Sequence, residues 1–199
     1  CAIYVGKDVG EVKKISHLIN AMLKLKLKIT KKLNVRIRYM DYSNLYNLLK
    51  EFTWDKYLKG TQRNNKWRLN QYSYNVGKVK LFRKGLPIVD GNKMKKNKYA
   101  IYNECKRLYP DHKFTGVMIN KNMKCPPHKD KGNYGPVIII GMGDYTGGEL
   151  CYEGGEHDIK NKAVKFEASE IEHWVKDFTG DRYSAVLFNH KPYVKKLKS

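Results

Sequence analysis

Cysteine is scarce in this 199-residue chain, and the four that occur stand far apart. None belongs to a Cys-x-x-Cys pair, which argues against a zinc module. Their scatter also argues against a disulfide scaffold and fits a reduced compartment. We therefore expect an intracellular protein, whether nuclear, cytoplasmic or viral. The four are Cys1, Cys105, Cys125 and Cys151.

Long apolar runs are missing as well. Lys or Asn interrupts every candidate before it reaches the roughly 18 residues that a membrane span needs. No secretory signal is visible, although the chain opens on Cys1 rather than Met, so we expect a few residues to precede it. With 41% hydrophobic residues the chain can still bury a core. We expect one domain over residues 1–199, a monomer without membrane contact.

Acidic residues are rare in the first half of the chain. Residues 1–100 hold 24 Lys and Arg against 6 Asp and Glu, whereas residues 101–199 hold 16 against 13. Most of the formal net charge of +21 therefore lies in residues 1–100. A concentrated positive field suits a polyanion, most simply DNA or RNA. The alternative is that the lysines only keep the protein soluble.

The basic first half alternates between helix and strand patterns. Apolar residues at a spacing of three and four predict helices, and period-two alternation predicts strands. A continuous helix through Leu27 is the alternative to the first of these strands. The predicted elements are a helix over 8–22, strands over 23–29 and 35–39, a helix capped by Ser43 and ended by Gly60, a short strand at 72–76, and a helix over 97–109 ended by Pro110.

The sequence of the second half predicts short strands separated by turns. Short apolar segments recur at intervals of eight to twelve residues with turn signals between them, a pattern typical of a sandwich or jelly roll. We therefore predict a mainly β fold with flanking helices, in which residues 1–112 form a basic support region and 113–191 a β core. The predicted strands are 114–120, 136–141, 150–152, 163–167 and 183–188.

One short string in the second half indicates a metal site. His128 and Asp130 are two residues apart, so on extended backbone both side chains point the same way. His173 follows 43 residues after Asp130, and Arg182 stands nine residues further on. Two imidazoles and one carboxylate are ligands that occupy one face of a non-haem Fe(II). An arginine nearby offers a fork for the carboxylate of a cosubstrate.

The remaining histidines fit this pattern less well. His157 could replace His173 as a ligand. However, the residue nine positions after His157 is Phe166, which cannot bind a carboxylate as Arg182 can nine positions after His173. His17 and His112 have no partner pattern, and we expect both at the surface. The spacing therefore favours His173 as the second imidazole ligand.

The stretch from His128 to His190 resembles the Fe(II)/2-oxoglutarate-dependent dioxygenase superfamily. Within it, the chain is most similar to the TET and base-J thymine hydroxylase branch, in which a histidine stands eight residues after the arginine, as His190 does here. The resemblance covers about residues 113–191, and residues 1–112 match nothing. The cysteine-rich zinc-binding additions of animal TET enzymes are absent. The similar strings are His128-Lys129-Asp130, Gly143-Asp144-Tyr145-Thr146-Gly147-Gly148-Glu149-Leu150, Glu172-His173 and Gly180-Asp181-Arg182-Tyr183-Ser184.

This resemblance implies a double-stranded β-helix and an oxidoreductase. Its iron would be held by the three predicted ligands and shared with 2-oxoglutarate and O2. Arg182 would pair with the distal carboxylate of 2-oxoglutarate, Ser184 would add a hydroxyl hydrogen bond, and His190 would line the pocket for cosubstrate and base. The implied reaction hydroxylates the methyl group of 5-methylcytosine or thymine, which must be flipped out of duplex DNA. The basic first half would then hold the phosphates.

Three other functions remain open at this point. A protein prolyl or lysyl hydroxylase of the same superfamily generally binds the distal carboxylate with lysine, so Arg182 counts against it. A nucleic-acid repair demethylase shares both the arginine and the basic surface. A nucleic-acid-binding protein without turnover is the alternative of a different class, and the intact set of ligands counts against it.

Overall fold

The computed structural model describes residues 16–22, 40–54, 71–80, 88–90 and 96–190, and every structural statement below concerns these residues. The strands predicted over 23–29 and 35–39 lie outside them, as does the first part of the helix predicted over 8–22. Its remainder, residues 16–22, is helical. Within the described ranges, no helix has the length and apolar content to cross a membrane.

Two further helices and nine strands make up the described part of the chain. The helices are α1 (Ser43–Lys50) and α2 (Lys96–Leu108). The strands are β1 (Tyr72–Lys80), β2 (Ile88–Asp90), β3 (Gly116–Lys121), β4 (Val137–Gly147), β5 (Leu150–Tyr152), β6 (Gly155–His157), β7 (Ala163–Phe166), β8 (His173–Val175) and β9 (Phe178–Phe188).

The strands form two antiparallel sheets with a jelly-roll order. The large sheet runs β2-β1-β3-β9-β4-β7, and the small sheet runs β6-β5-β8. The last strand, β9, lies between β3 and β4, and it pairs with β4 from Ile138↔Leu187 to Gly147↔Phe178. An isolated bridge between His128 and His173 extends the small sheet by one segment. The predicted fold class, mainly β with flanking helices around a jelly-roll core, is confirmed.

Side chains of the large sheet alternate between a helix-covered face and an inner face. On β9, Ala185 and Leu187 are fully buried in the cluster that contains the apolar residues of α1 and α2. Because side chains in a strand alternate, Arg182, Ser184 and Val186 lie on the opposite face, towards the interior of the jelly roll. The strand that completes the hydrophobic core therefore also carries polar residues into the interior.

The two described strands of the first half, β1 and β2, belong to the large sheet of the core. Strand β1 pairs with β3 over six residues, from Tyr72↔Lys121 to Gly77↔Gly116. This confirms the strand predicted at 72–76. The helix predicted over 97–109 is confirmed as α2, which packs Ile101 against the outer face of the large sheet. The described part of residues 1–112 thus supplies an edge of the large sheet and its helical cover.

The predicted ends of helix α1 are wrong. Ser43 is the first helical residue rather than the cap, and its backbone N–H donates to Asp41 Oδ1 at 2.9 Å. The helix ends at Lys50, before Gly60, which lies outside the described residues. Trp54 Nε1 donates to a carbonyl of the last turn at 3.0 Å, so the chain folds back and ends the helix there.

Candidate metal centre and cosubstrate pocket

Three side chains that could hold a metal meet on one wall of the interior. The donor atoms of His128, Asp130 and His173 all lie within 4.8 Å of one another. His128 Nε2 is 3.6 Å from Asp130 Oδ1. The bridge between the two histidines sets this arrangement, because the N–H of each donates to the carbonyl of the other at 3.1 and 3.0 Å. The structure thus brings together all three residues that the sequence singled out as ligands.

Backbone contacts fix the ring orientation of both histidines. Nδ1 of His128 and Nδ1 of His173 lie 2.8 and 2.9 Å from the carbonyl oxygen two residues earlier in the chain. A carbonyl only accepts hydrogen bonds, so each Nδ1 carries a proton, and Nε2 is the ring atom that remains available to a metal. Metal-binding histidines are commonly held in this way.

The carboxylate is oriented in the same manner. Asn133 Nδ2 donates to Asp130 Oδ2 at 3.2 Å, which leaves Oδ1 facing His128. Burial lowers the pKa of His173, so its ring favours the neutral form that ligates metals. Two imidazoles and one oriented carboxylate on the wall of an open cavity fit Fe(II) with sites left for other ligands.

Arg182 is buried with part of its guanidinium unsatisfied. The side chain is 2% exposed, Nε donates to the Gly148 carbonyl at 3.3 Å, and Nη2 makes no hydrogen bond in the described part of the chain. The guanidinium carbon lies 5.5 and 5.6 Å from the ring centroids of Tyr145 and Phe178. Burial lowers the pKa of Arg182. A buried cationic donor without an acceptor fits an anionic ligand such as a carboxylate.

The position of Arg182 is fixed from two sides. Asn122 accepts the Arg182 backbone N–H through Oδ1 at 2.8 Å and donates its own N–H to the Arg182 carbonyl at 2.7 Å. Gly148 adopts a φ of +72°, and a Cβ there would lie 2.9 Å from Arg182 Nε. A side chain at Gly148 would therefore displace the guanidinium, and glycine also tolerates this left-handed backbone.

A cavity of about 790 Å³ connects the candidate metal ligands with the arginine. Ser184 and His190 line the same cavity. Ser184 Oγ accepts a hydrogen bond from Asn120 Nδ2 at 3.1 Å, so its hydroxyl hydrogen remains available to a ligand. The His190 ring packs edge-on against Phe188, with ring centroids 4.9 Å apart. All six residues singled out from the sequence thus lie around one cavity, and their roles there remain predictions.

Several residues of the cavity were missed from the sequence. Asn120 and Asn133 orient residues described above, as does Asn122 from outside the cavity, and Lys129 and Lys131 are exposed while lining the cavity. For Asn120 the only signal in the sequence was the alternation of side chains along β3, which places this residue on the inner face. For the lysines there was none, because lysine is abundant along the whole chain.

The other histidines lie apart from the ligand group. His157 bonds through Nε2 to the Tyr152 hydroxyl at 3.1 Å, and His17 is exposed. The expectation that His112 is a surface residue is wrong. Its ring is half-buried and stacks on Phe114 with centroids 6.1 Å apart, and burial lowers the pKa of His112.

Comparison with known proteins yields structural matches only. No protein-family model matches the chain, and no curated protein does. Among solved structures, NgTET1 in complex with 5mC DNA superposes with a TM-score of 0.55 at 12% identity, covering 78% of this chain and 71% of that one. An oxidoreductase of the 2OG-Fe(II) oxygenase family from Burkholderia pseudomallei gives a TM-score of 0.45 at 17% identity, covering 59% and 66%.

The fold and the candidate ligands agree with the resemblance seen in the sequence. The chain has a jelly-roll fold, and two histidines and an aspartate converge on one wall of its cavity. More narrowly, its fold is like that of a TET protein. The resemblance that the motifs predicted is therefore confirmed at the level of the fold.

Proposed function

We propose that the chain is an Fe(II)- and 2-oxoglutarate-dependent dioxygenase that hydroxylates the methyl group of a 5-methylpyrimidine in DNA. The observation that carries this proposal is the shared cavity: three convergent metal-ligand side chains and a buried arginine with an unsatisfied donor line the same space. When bound, Fe(II) with 2-oxoglutarate and O2 supplies the oxidation of an unactivated methyl group.

The chain's own residues bind, orient and exclude water. His128, Asp130 and His173 would hold the iron through atoms that backbone carbonyls and Asn133 already point inward. Arg182 and Ser184 would hold the distal carboxylate, since each has a donor hydrogen to offer. Apolar side chains cover much of the remaining wall and keep bulk water from the reacting groups. They include Ile139, Leu150, Phe166 and Val186.

The assignment of DNA as substrate rests on charge, space and fold. Lys129 and Lys131 stand exposed at the cavity that holds the candidate ligands, where they can neutralise phosphates on either side of a flipped base. A cavity of about 790 Å³ has room for both a cosubstrate and a base. NgTET1, which shares the fold, was solved in complex with 5mC DNA.

Turnover is tested by succinate formation. Wild type supplied with Fe(II), 2-oxoglutarate and DNA is expected to release succinate, and His128→Ala to remain at background. His157→Ala is the matched control, because His157 lies outside the ligand group and the variant should retain turnover. Equal background from wild type and His128→Ala would exclude the enzyme and favour a binding protein.

The substrate is tested by mass spectrometry of the same reactions. DNA containing 5-methylcytosine or thymine should yield a hydroxymethylated nucleoside. Loss of a methyl group from an N-methylated base would instead indicate a repair demethylase. Succinate formation with a hydroxylated peptide and unchanged DNA would indicate a protein hydroxylase.

Charge reversal at Lys129 and Lys131 tests whether these two lysines bind DNA. A variant carrying both Lys129→Glu and Lys131→Glu should bind DNA with a salt dependence whose logarithmic slope falls by about 2, since two phosphate contacts are lost. The matched control carries Lys113→Glu and Lys165→Glu, two exposed positions outside the cavity with the same change in net charge. Equal effects of both variants would mean that binding follows overall charge rather than this surface.

A further inference from the structure

One cysteine of the described chain differs in its surroundings from the other two. Cys105 is fully buried and Cys151 is 5% exposed, and burial raises the pKa of both thiols. Buried thiols of this kind are chemically inert. Cys125 is instead partly exposed and lines the cavity that contains the candidate metal ligands.

The backbone holds Cys125 in place on the cavity wall. Its carbonyl accepts the Val175 N–H at 3.1 Å, which ties it to the end of β8. Pro126 and Pro127 follow, and the fixed φ of proline restricts the chain between Cys125 and the ligand His128. The thiol therefore occupies a defined position three residues from a candidate metal ligand.

A second and independent feature shows what kind of molecule this part of the cavity would accept. Arg182, 2% exposed, lines the same cavity with Nη2 unsatisfied, so it attracts a carboxylate. The cavity of about 790 Å³ exceeds the needs of a small dicarboxylate and can admit a tripeptide-sized group. Arg182 and Cys125 are close enough to interact electrostatically, so a carboxylate bound by the arginine would lie near the sulfur.

We propose that Cys125 is a thiol modification site, at which a small carboxylate-bearing disulfide pairs with Arg182 and forms a mixed disulfide that excludes 2-oxoglutarate. The Cys125 thiolate attacks one sulfur of the incoming disulfide, a new S–S bond forms, and the original S–S bond breaks. The other half leaves as a thiolate, which takes a proton from solvent. Cys125 is thereby oxidised and the leaving half reduced, and excess thiol reverses the exchange.

The competition part of this inference rests on the proposed function, because it requires 2-oxoglutarate to bind at Arg182. The preference of Cys125 for a disulfide that carries carboxylates does not depend on the proposed function. Oxidised glutathione carries carboxylates and should react faster than the uncharged 2-hydroxyethyl disulfide. In Arg182→Met that preference should disappear, while Cys125 itself remains reactive.

The test exposes the full-length, Mn(II)-loaded chain to oxidised glutathione and locates the adduct by peptide mass spectrometry. A Cys1→Ser background removes the one cysteine outside the described residues. Cys125 should be modified about ten-fold faster than Cys105 and Cys151, and 2-oxoglutarate should slow it by a similar factor. Unfolded protein, in which all three should react alike, is the control for intrinsic reactivity.

Calorimetry of 2-oxoglutarate binding distinguishes failure of the proposed function from failure of the proposed modification site. Binding should be present in the untreated chain, lost after glutathione modification, and restored by dithiothreitol. If the untreated chain binds no 2-oxoglutarate, the proposed function fails, and the rates at the three cysteines still decide the modification site. If Cys125 reacts no faster than Cys151, or if the modified chain binds 2-oxoglutarate unchanged, the inference is overturned.

Discussion

Replacing Arg182 with methionine separates what the guanidinium does for ligand binding from what it does for folding. In the ligand-free chain it makes one hydrogen bond, to the Gly148 carbonyl, and faces the rings of Tyr145 and Phe178. These contacts contribute about 1 kcal/mol and about 0.5–1 kcal/mol per ring. Burying a charge in this way costs about 3–5 kcal/mol, of which electrostatic attraction to Tyr145 and Glu149 offsets a part. Arg182→Met should therefore leave the free energy of unfolding unchanged or raise it by about 1 kcal/mol.

The same substitution should nearly abolish cosubstrate binding. Two charge-assisted hydrogen bonds from Arg182 to a carboxylate contribute about 1.5–3 kcal/mol each. Their loss lowers the affinity for 2-oxoglutarate by a factor of about 10² to 10⁴. The variant should thus be at least as stable as wild type while failing to respond to the ligand.

Thermal unfolding of the Mn(II)-loaded proteins measures both effects. Wild type should unfold at a higher temperature when 2-oxoglutarate is added, and Arg182→Met should not. Leu187→Ala is the control, because this fully buried residue lies on the same strand, β9, but on its opposite face and outside the cavity. It should lose about 2–5 kcal/mol and keep the ligand-dependent rise. If Arg182→Met is destabilised as strongly as Leu187→Ala and still responds to 2-oxoglutarate, the arginine is structural and the reasoning is wrong.

Three further predictions follow from side chains around the site and in the core. Gly148→Ala should raise the concentration of 2-oxoglutarate needed for half-saturation, measured by calorimetry, because the new Cβ displaces Arg182 Nε. Asn133→Ala should weaken Mn(II) binding about 10- to 100-fold in electron paramagnetic resonance titrations, because it frees the Asp130 carboxylate to rotate. Burial lowers the pKa of His112 below its ordinary value of 6.5, so its contribution to stability is complete above pH 6.5 and is lost as pH falls through the lower folded value. Urea titrations of His112→Gln should show a smaller loss of stability in acid than wild type.

The core strands were predictable because their hydrophobic alternation is local. The segments from Gly143 to Gly147 and from Phe178 to Asp181 were not, although they pair with each other in β4 and β9. These residues are rich in glycine and polar groups, so no apolar pattern marks them as strand. Their pairing follows from the ladder that begins at Ile138↔Leu187 and continues beyond the hydrophobic part.

Helix α1 illustrates a local ambiguity. Ser43 belongs to a residue type that favours the N-cap, but the residue at that position is Tyr42, whose side chain makes no capping hydrogen bond. The buried side chains Leu45 and Leu49 decide the start, because they place the helix on the large sheet. The end is decided by Trp54, whose indole meets the last turn only after the chain has folded back.

The candidate site shows the same division between local and distant information. The candidate metal ligands could be picked out because few residue types ligate iron and their spacing is distinctive. The asparagines that orient the site residues could not, since asparagine is frequent in this chain. Asn120 and Asn122 moreover act across the fold, whereas Asn133 reaches back only to Asp130. Asn120, for example, meets Ser184 only through the register of β3 with β9.

The bridge between His128 and His173 also has a consequence for how the protein matures. These residues are 45 positions apart, and each holds the other's backbone. The candidate metal ligands therefore converge only after the two segments have closed on each other, a long-range step that is slow compared with helix formation. An ion present during synthesis has no assembled site to nucleate around. We expect the newly made chain to fold first and to acquire its metal afterwards, so that refolding should proceed at the same rate with and without Mn(II), and metal uptake should lag behind strand pairing.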